Sequence, residues 1–243
     1  MMTTPAAPLR WKRVLVKLSG EALMGDDTHG LNMETLDKIA TDLAHAASLG
    51  AEIAVVVGGG NFFRGFQGAN KGIERARADS IGMLATVMNS LALEFAIEGK
   101  GQPCRALSAV PMPSVCQPYS RQAALNHLEK GRIVVLAGGT GNPFFTTDTG
   151  AALRAAELSC DAVMKATQVD GIYSADPKKD PNAVRYEQLT SDEAIDKKLQ
   201  VMDTAAFALA RENGIPIIVF ALKEPGSITA ALLGEGRFTV VMP

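Results

Sequence analysis

The sequence is poor in aromatic residues and almost neutral, and both shortages narrow the class of protein. Aromatic residues make up 5% of the 243 positions, but the hydrophobic fraction of 47% is that of a globular domain, which excludes a disordered or low-complexity chain. Lysine and arginine total 24 against 26 acidic residues, a formal net charge of -2. No overall field therefore draws the chain to nucleic acid or to an anionic membrane, and any anion must be bound by local groups.

Cysteine and long apolar runs are also scarce. Cys104, Cys116 and Cys160 are widely spaced and form no C-x-x-C pair, so neither a disulfide framework nor a zinc ribbon is predicted. The longest apolar runs fall far short of the ~20 residues that span a membrane. Residues 1–12 lack the apolar core of an export signal and predict a flexible N-terminal extension. These features favour a cytoplasmic protein without a membrane partner.

The sequence does contain a regular alternation of short branched apolar runs with longer segments of helical spacing. This alternation is typical of an α/β protein in which helices cover both faces of a largely parallel sheet. It predicts a three-layer α/β/α sandwich with a central, mostly parallel sheet, in one domain over residues 13–243. Six strands are predicted, at Val14–Leu18, Ile53–Val57, Arg105–Leu107, Ile133–Leu136, Ala162–Lys165 and Ile217–Phe220.

Two segments between these strands have strong helical patterns. One carries an apolar stripe on a single side, from Leu36 to Ala47. The other carries a longer stripe, from Ile81 to Phe95, and further apolar side chains on its other faces. One core cannot bury all of them, so the excess predicts a subunit interface.

Three glycine-bearing turns follow three of the predicted strands. The first is Lys17-Leu18-Ser19-Gly20, the second runs from Gly58 to Gly65, and the third runs from Gly138 to Asp148. Glycines without Cβ let backbone N–H groups close around phosphate oxygens. Each turn alone is consistent with a tight strand-to-helix connection, but ligands of parallel sheets bind at the carboxyl ends of strands. Three such turns at one edge therefore predict an anion-binding site.

Three cations lie in or beside these turns. Lys17 and Lys165 are near the ends of predicted strands among apolar neighbours, where a lysine is unfavourable unless an anion receives it. The alternative is that each side chain reaches water past the edge of the sheet. Arg64, just beyond the triple glycine, adds a group that binds phosphate in bidentate fashion. Together the three cations suggest a clamp for a polyphosphate.

Familiar catalytic motifs are missing. The sequence has no G-x-x-x-x-G-K-[ST], no G-x-G-x-x-G and no G-x-S-x-G, and its three histidines are not at metal-ligand spacing. Phosphoryl transfer between two anionic substrates needs several cations and phosphate-binding turns but no protein nucleophile. If the acceptor is itself a phosphate, its second pKa near ~6 leaves it ionised, so no general base is required.

Five segments resemble bacterial UMP kinases, a branch of the amino acid kinase superfamily. They are VKLSGEAL from Val16, VGGGNFFRG from Val57, GMLATVMN from Gly82, TGNPFFTTD from Thr140 and KATQVDG from Lys165. The third and fourth segments are specific to the uridylate branch. The resemblance implies the amino acid kinase fold and ATP-dependent phosphorylation of UMP to UDP in pyrimidine nucleotide synthesis. It also implies Mg²⁺ bound mainly through the ATP phosphates rather than by protein ligands.

The resemblance implies that residues 13–160 bind UMP and form the oligomer, and that residues 161–243 bind ATP. The implied catalytic residues are Lys17, Arg64, Asp148 and Lys165. The implied ATP-binding residues are Lys17, Leu18, Ser19, Gly20, Gly60, Arg64, Thr167, Tyr173 and Asp176. The implied UMP-binding residues are Gly59, Asp79, Thr140, Gly141, Asn142, Pro143, Phe144, Phe145, Thr146 and Thr147.

Some of these residues also have simpler interpretations. Asp148 would orient the lysines, but it is equally placed to cap the helix that follows. Asp79 would hydrogen-bond the uridine ribose, but an acidic residue near a helix start is also favoured by the helix dipole. Core filling is the alternative for at least one of Phe144 and Phe145. Tyr173 would supply an aromatic face for adenine.

Regulation and assembly follow from the resemblance alone. The segment that corresponds to the loop associated with GTP activation is Gly25, Asp26, Asp27, Thr28, His29 and Gly30. GTP activation, UTP inhibition and a homohexamer are expected on this basis. Two other functions remain open: another superfamily phosphotransferase, such as an acetylglutamate kinase, and a nucleotide-sensing regulatory protein.

Overall fold

The computed structural model describes residues 9–63, 72–197, 199 and 201–243. In these residues nine strands form one sheet: β1 (Arg13–Leu18), β2 (Glu52–Val57), β3 (Cys104–Ser108), β4 (Gln117–Pro118), β5 (Ile133–Ala137), β6 (Ala162–Thr167), β7 (Gln188–Thr190), β8 (Ile217–Ala221) and β9 (Phe238–Met242). Their order is β4-β3-β5-β2-β1-β6-β8-β9-β7, and neighbours are parallel except β8 and β9. The six predicted strands and the mostly parallel sheet are confirmed.

Helices connect these strands. They are α1 (Met33–Ser48), α2 (Arg75–Glu98), α3 (Arg121–Leu128), α4 (Thr147–Glu157), α5 (Ser191–Asp196), α6 (Thr204–Glu212) and α7 (Ser227–Leu233), with a 3₁₀ turn at Gly20–Leu23. Asn32 caps α1 and Thr146 caps α4 with their side-chain oxygens. These caps accept hydrogen bonds from N–H groups that the first helical turn leaves without partners.

The helices form two layers, one on each face of the sheet. α1, α2 and α7 pack on the face that receives Val14, Val16 and Leu18 of β1. α3, α4, α5 and α6 pack on the opposite face, which receives Leu15. Because side chains alternate along a strand, Lys17 points to the same face as Leu15, toward the layer that contains α4. The predicted three-layer sandwich is confirmed, and its layering determines where the lysines point.

The structure corrects the prediction of which face of α2 packs on the core. The predicted stripe is largely exposed at Ile81, Leu84, Met88 and Phe95, the last with 71% of its surface accessible. The buried face instead carries apolar residues together with three polar ones: Ala78, Ala85, Thr86, Val87, Asn89, Ser90, Leu93 and Ile97. Both sides of α2 are apolar, so periodicity alone could not decide which side the fold buries.

By length and composition α2 would also qualify as a membrane-spanning helix, with a mean hydropathy of 1.5 over its most apolar window. Its environment in the fold argues against that role. Thr86, Asn89 and Ser90 are buried, and each has a hydrogen-bond partner within the domain. A helix whose buried face carries polar residues with partners inside the domain is a core helix of that domain.

The predicted extension over residues 1–12 lies mostly outside the described residues. Trp11 is buried, and its ring packs edge-on against Phe238 of β9 with the ring centroids 6.4 Å apart. The Arg10 guanidinium lies over the Trp11 ring, 4.6 Å from its centroid. The residues just before β1 therefore pack against β9, the last strand of the chain.

Candidate active site

Two lysines lie side by side near the carboxyl ends of the two central strands. In the parallel pairing of β1 with β6, Lys17 is directly opposite Lys165. Neighbouring strands are ~4.8 Å apart and both side chains point to the α4 layer, so the ammonium groups converge. Lys17 is 7% exposed and Lys165 is 9% exposed, so the alternative that they extend into water is wrong.

Asp148, in the first turn of α4, lies between the two lysines. Lys17 Nζ is 2.8 Å from Asp148 Oδ1, and Lys165 Nζ is 2.6 Å from Asp148 Oδ2. Both contacts are short ion pairs, and the Lys165 contact is also a well-aligned hydrogen bond. Thr146 is the N-cap of α4, so the capping alternative for Asp148 is wrong. We call Lys17, Asp148 and Lys165 the charged trio.

The charges of the trio depend on one another. Burial acts to raise the pKa of Asp148, but the ammonium groups of Lys17 and Lys165 outweigh it and the pKa of the carboxyl is lowered. Burial lowers the pKa of Lys165, and Asp148 opposes that effect only in part. The carboxylate therefore stays ionised and stabilises two adjacent cations.

The three predicted turns meet beside this trio. A methyl group at Gly20 would lie 2.5 Å from Asn61 Oδ1 and 2.7 Å from both the Gly58 oxygen and the Gly60 nitrogen, so the first turn touches the second. A methyl group at Gly58 would lie 3.6 Å from the hydroxyl oxygen of Thr147, at the end of the third turn. Glycine is required at position 20, where contacts below 3 Å leave no space for a side chain. The prediction that the turns share one edge of the sheet is confirmed.

Helix α2 holds the second and third turns in place. A methyl group at Gly59 would lie 2.7 Å from the carbonyl oxygen of Gly82, so the second turn packs directly on the helix. Thr86, one turn further along, accepts a hydrogen bond of 2.8 Å from the N–H of Gly138 in the third turn. Asn89 donates a hydrogen bond of 2.7 Å to the carbonyl oxygen of Gly58. Two buried polar side chains of α2, Thr86 and Asn89, thus bind the backbone of both turns.

Asp79 fixes the far end of the third turn. Its carboxylate accepts a hydrogen bond of 2.8 Å from the N–H of Phe144 and two bonds, of 2.9 and 2.8 Å, from Arg75 Nε. Phe144 has φ 73°, a left-handed conformation that is uncommon for a residue with a side chain. Phe144 and Phe145 are 66% and 53% exposed, so the alternative that one of them fills the core is wrong.

A cavity of about 120 Å³ lies between α2 and the third turn. Seven of the predicted UMP-binding residues line it: Gly59, Asp79, Thr140, Asn142, Phe145, Thr146 and Thr147. The other three, Gly141, Pro143 and Phe144, belong to the same turn but do not line the cavity. The lining combines apolar surface with a few polar side chains, as expected for a site that holds a ligand by contact and orients it through hydrogen bonds.

Comparison with known proteins gives the family. A model of the amino acid kinase family matches residues 12–221. The uridylate kinase of Azorhizobium caulinodans is 62% identical over 235 residues, which cover 97% of this chain and 99% of that protein. The uridylate kinase of Paramagnetospirillum magneticum is 55% identical over 236 residues, covering 97% of this chain and 98% of its own. The chain belongs to the amino acid kinase family, in its uridylate kinase branch.

Solved structures agree with this membership of the amino acid kinase family. The UMP kinase from Bacillus anthracis superposes with a TM-score of 0.92 at 40% sequence identity, over 96% of both chains. The UMP kinase from Ureaplasma parvum superposes with a TM-score of 0.91 at 34% identity, over 96% of this chain and all of the other. The amino acid kinase fold implied by the sequence is thus confirmed over nearly the whole length.

The predicted ATP-binding residues of this amino acid kinase are spread over more of the structure than the predicted UMP-binding residues. The Leu18 side chain is buried in the core, and Ser19 caps the 3₁₀ turn, accepting a hydrogen bond of 3.2 Å from Ala22 N. Thr167 ends β6. Tyr173 donates a hydrogen bond of 2.6 Å to Asp170, and Asp176 lies on an exposed turn. The predicted catalytic and ATP-binding residue Arg64 lies outside the described residues.

A larger cavity, of about 440 Å³, lies away from the charged trio, between α1 and the segment after β8. Gly25 and Asp26 of the predicted effector loop line it, whereas Asp27, Thr28, His29 and Gly30 do not. Its charged lining residues are five acids and two lysines: Glu21, Asp26, Glu34, Asp42, Glu224, Lys38 and Lys223. An excess of carboxylates repels a triphosphate. Although this cavity is larger than the one beside the third turn, its charge argues against its being the phosphate site of the kinase.

Sequence reasoning missed several residues that organise the site of this amino acid kinase. Asn61, Thr86 and Asn89 lie inside the motifs, but no role was predicted for them. Asp203, the N-cap of α6, accepts hydrogen bonds from Thr146 and Thr149 at the start of α4. For Thr86 and Asn89 the sequence does contain a signal, since both are polar residues in the middle of an apolar helix. A buried polar side chain needs hydrogen-bond partners, so such a position indicates a contact with another part of the fold.

Proposed function

We propose that this chain transfers the γ-phosphoryl group of ATP to UMP, forming UDP and ADP in pyrimidine nucleotide synthesis. The observation that carries the proposal is the charged trio, which lies next to a cavity lined by the second and third glycine turns. Two buried cations on adjacent strands suit a polyphosphate, and the neighbouring cavity, with apolar surface and a few polar side chains, suits a nucleoside monophosphate. The names of the relatives support UMP as the acceptor.

In the proposed reaction a phosphate oxygen of UMP attacks the γ-phosphorus of ATP. A new P–O bond forms as the bond to the β-phosphate breaks, and ADP leaves with the electron pair. The acceptor phosphate is already ionised near neutral pH, so no side chain needs to remove a proton. The protein's task is to place the two anions in line and to balance the negative charge on the transferred group.

Lys17 and Lys165 supply that balance. Their ammonium groups are held by Asp148 before substrate arrives, so little reorganisation is needed when charge shifts in the transition state. The trio carries one net positive charge, and its low exposure strengthens each interaction with a phosphate oxygen. The backbone N–H groups around Gly20 and Gly60 are placed to complete the phosphate cradle.

The described residues fit a metal ion that arrives with the nucleotide. Among them no group of three or more acidic, histidine or cysteine side chains is arranged to bind a metal. Magnesium is commonly held by substrate phosphates and one or two carboxylates, so a dedicated cage is not required. Bound to the ATP phosphates, Mg²⁺ would offset their charge, and Asp148 is the carboxylate nearest the lysines.

An acceptor assay tests the function. Purified protein with ATP and Mg²⁺ is given UMP, CMP, AMP, GMP or N-acetylglutamate, and ADP and phosphorylated products are measured. We expect UDP formation to exceed product formation from every other acceptor by at least tenfold. Product from N-acetylglutamate alone would support an acetylglutamate kinase, and nucleotide binding without turnover would support a regulatory protein.

Replacing Asp79 by asparagine should mainly weaken UMP binding. The amide keeps one acceptor oxygen but loses the charge that binds Arg75 and holds the Phe144 N–H, so the third turn loosens. We expect the KM for UMP to rise about tenfold with a small change in the KM for ATP, since a charged hydrogen bond is worth about 1.5–3 kcal/mol. Initial rates at varied UMP and ATP measure both constants.

Glu74→Gln is the matched control, because Glu74 precedes α2 and, among the described residues, its exposed carboxylate pairs with Arg77. Its kinetic constants should stay within twofold of those of the native protein. A change confined to the KM for ATP in Asp79→Asn would contradict the assignment of this cavity to UMP.

We further propose that the exposed stripe of α2 forms a subunit interface in a cytoplasmic homohexamer. Four large apolar side chains along one helix face, Ile81, Leu84, Met88 and Phe95, support an interface there. Light scattering should give a mass several times the 25.6 kDa of one chain. Activation by GTP and inhibition by UTP are proposed from family membership, with residues 25–30 as the candidate effector loop.

A further inference from the structure

The second glycine turn is held by a reciprocal pair of buried amides that the proposed mechanism does not use. Asn61 Nδ2 donates to Asn89 Oδ1 at 2.9 Å, and Asn89 Nδ2 donates back to Asn61 Oδ1 at 2.7 Å. Asn61 is 3% exposed and Asn89 is fully buried. Such a pair satisfies the hydrogen-bonding groups of both side chains without water.

Each amide also binds a backbone carbonyl on its outer side. Asn89 Nδ2 donates to the Gly58 oxygen at 2.7 Å, and Asn61 Nδ2 donates to the Gly30 oxygen at 2.8 Å. Because carbonyl oxygens only accept hydrogen bonds, both side chains must turn their nitrogens toward them. The orientation of the pair is therefore determined by its surroundings, and no other rotation of either amide satisfies all four contacts.

The pair joins three parts of the site. Asn61 belongs to the second turn, Asn89 to α2, and Gly30 to the predicted effector loop. The Gly30 N–H donates a hydrogen bond of 3.0 Å to the Asn61 carbonyl, so that loop and the second turn are bonded twice. Gly20 of the first turn is close enough that a methyl group there would meet Asn61 Oδ1 at 2.5 Å. A shift of this pair would therefore move backbone on both sides of the phosphate cradle.

We propose that Asn89 is a positioning residue for phosphoryl transfer, acting through Asn61 on the second glycine turn and on the loop that contains Gly30. The inference rests on the proposed kinase function. Asn89 is not among the predicted nucleotide-binding residues, but it bonds to Gly58, which directly precedes Gly59 and Gly60, the residues assigned to UMP and to ATP. A misplacement of about 1 Å in such a group can cost about 100-fold in rate.

Asn89→Asp tests the proposal with little change in shape, because an oxygen replaces the donating nitrogen. It would face the Gly58 oxygen and Asn61 Oδ1 as an acceptor and push both away. We expect kcat to fall at least tenfold in a protein that remains folded by circular dichroism. Should Asn89→Asp fail to fold, Asn89→Ala removes the same donor and leaves space for a water.

The matched control is Ser90→Ala. Ser90 is also fully buried on α2, but within the described part of the chain its hydroxyl bonds to the Thr86 carbonyl of the same helix and to neither glycine turn. Its loss should lower the melting temperature and leave kcat and both KM values within twofold. A merely structural role for Asn89 predicts the same pattern in the Asn89 variants.

Hydrogen–deuterium exchange gives a readout that does not depend on activity. Amides in residues 57–63 and 28–32 should exchange at least tenfold faster in the Asn89 variants than in native protein or Ser90→Ala. A folded Asn89 variant with native exchange in these segments and kinetic constants within twofold would overturn the proposal. If the native protein makes no UDP, the proposed function fails, while the exchange comparison still decides whether Asn89 positions the turn.

Discussion

Replacing Lys17 by alanine is expected to lower kcat by about 100- to 1,000-fold, the usual effect of removing one preorganised group that stabilises developing charge. The fold should survive the change. Asp148 keeps its contact with Lys165 at 2.6 Å, so the remaining carboxylate and ammonium still balance each other. The loss should therefore appear in the chemical step, which single-turnover UDP formation measures separately from substrate binding.

Lys12→Ala is the control for this prediction. Lys12 directly precedes β1 but is exposed, so its removal takes away the same charge from the surface rather than from the cradle. It should leave kcat within twofold. A folded Lys17→Ala protein with nearly native kcat would remove Lys17 from the mechanism and leave Lys165 as the only described cation of the cradle.

Replacing Asp148 by asparagine is expected to lower stability by about 3–5 kcal/mol, the usual cost of leaving buried charge without its partner. Lys17 and Lys165 would then face each other with no carboxylate between them. Turnover should fall as well, because the lysines lose the group that holds them in place. Urea unfolding monitored by circular dichroism measures the stability change.

The destabilisation in Asp148→Asn should depend on pH with a definite sign. Burial already lowers the pKa of Lys165, and loss of the carboxylate lowers it further. Above this lowered pKa the folded protein has released a proton that the unfolded chain still binds, so stability rises with pH toward the ordinary lysine range near ~10.4. In the native protein the contribution of Asp148 is present above ~3.9, the ordinary carboxyl pKa, and is lost as pH falls through its lowered pKa.

Asp192→Asn supplies the comparison. Asp192 pairs with Arg211 at the surface, where 68% of its side chain is exposed, and such pairs contribute about 0–1 kcal/mol. Its unfolding curve should barely change between neutral and basic pH. If Asp148→Asn lowered stability as little as Asp192→Asn, and with as little dependence on pH, the charges of the trio would not depend on one another.

The charged trio was largely predictable because its causes are local. Lys17 and Lys165 each stand an even number of residues from an apolar neighbour that faces the α4 layer, Leu15 and Val163. Strand alternation then places both lysines on one side. Asp148 begins the helix after the third turn. What the sequence could not supply was the register that sets the lysines opposite each other.

The environment of α2 was not predictable to the same degree. Its two faces carry similar apolar content, and the decision between them rests on contacts made by Gly82, Thr86 and Asn89 with turns far away in sequence. Periodicity measures how apolar a face is, whereas burial here depends on which face offers hydrogen-bond partners. The amide pair of Asn61 and Asn89 was missed for the same reason.

Strand β1 is bonded to β2 along its whole length on one side and to β6 over Val14–Lys17 on the other. The first and second turns therefore follow adjacent strands, β1 and β2, of one continuous sheet. The two lysines likewise lie on adjacent strands, β1 and β6. A hinge between the two halves that the resemblance implies, residues 13–160 for UMP and 161–243 for ATP, would have to break the hydrogen bonds between β1 and β6 at the centre of the sheet. We therefore expect the segments beyond the strand ends to move when substrates enter and products leave. The strands that align the reacting phosphates should keep their relative positions.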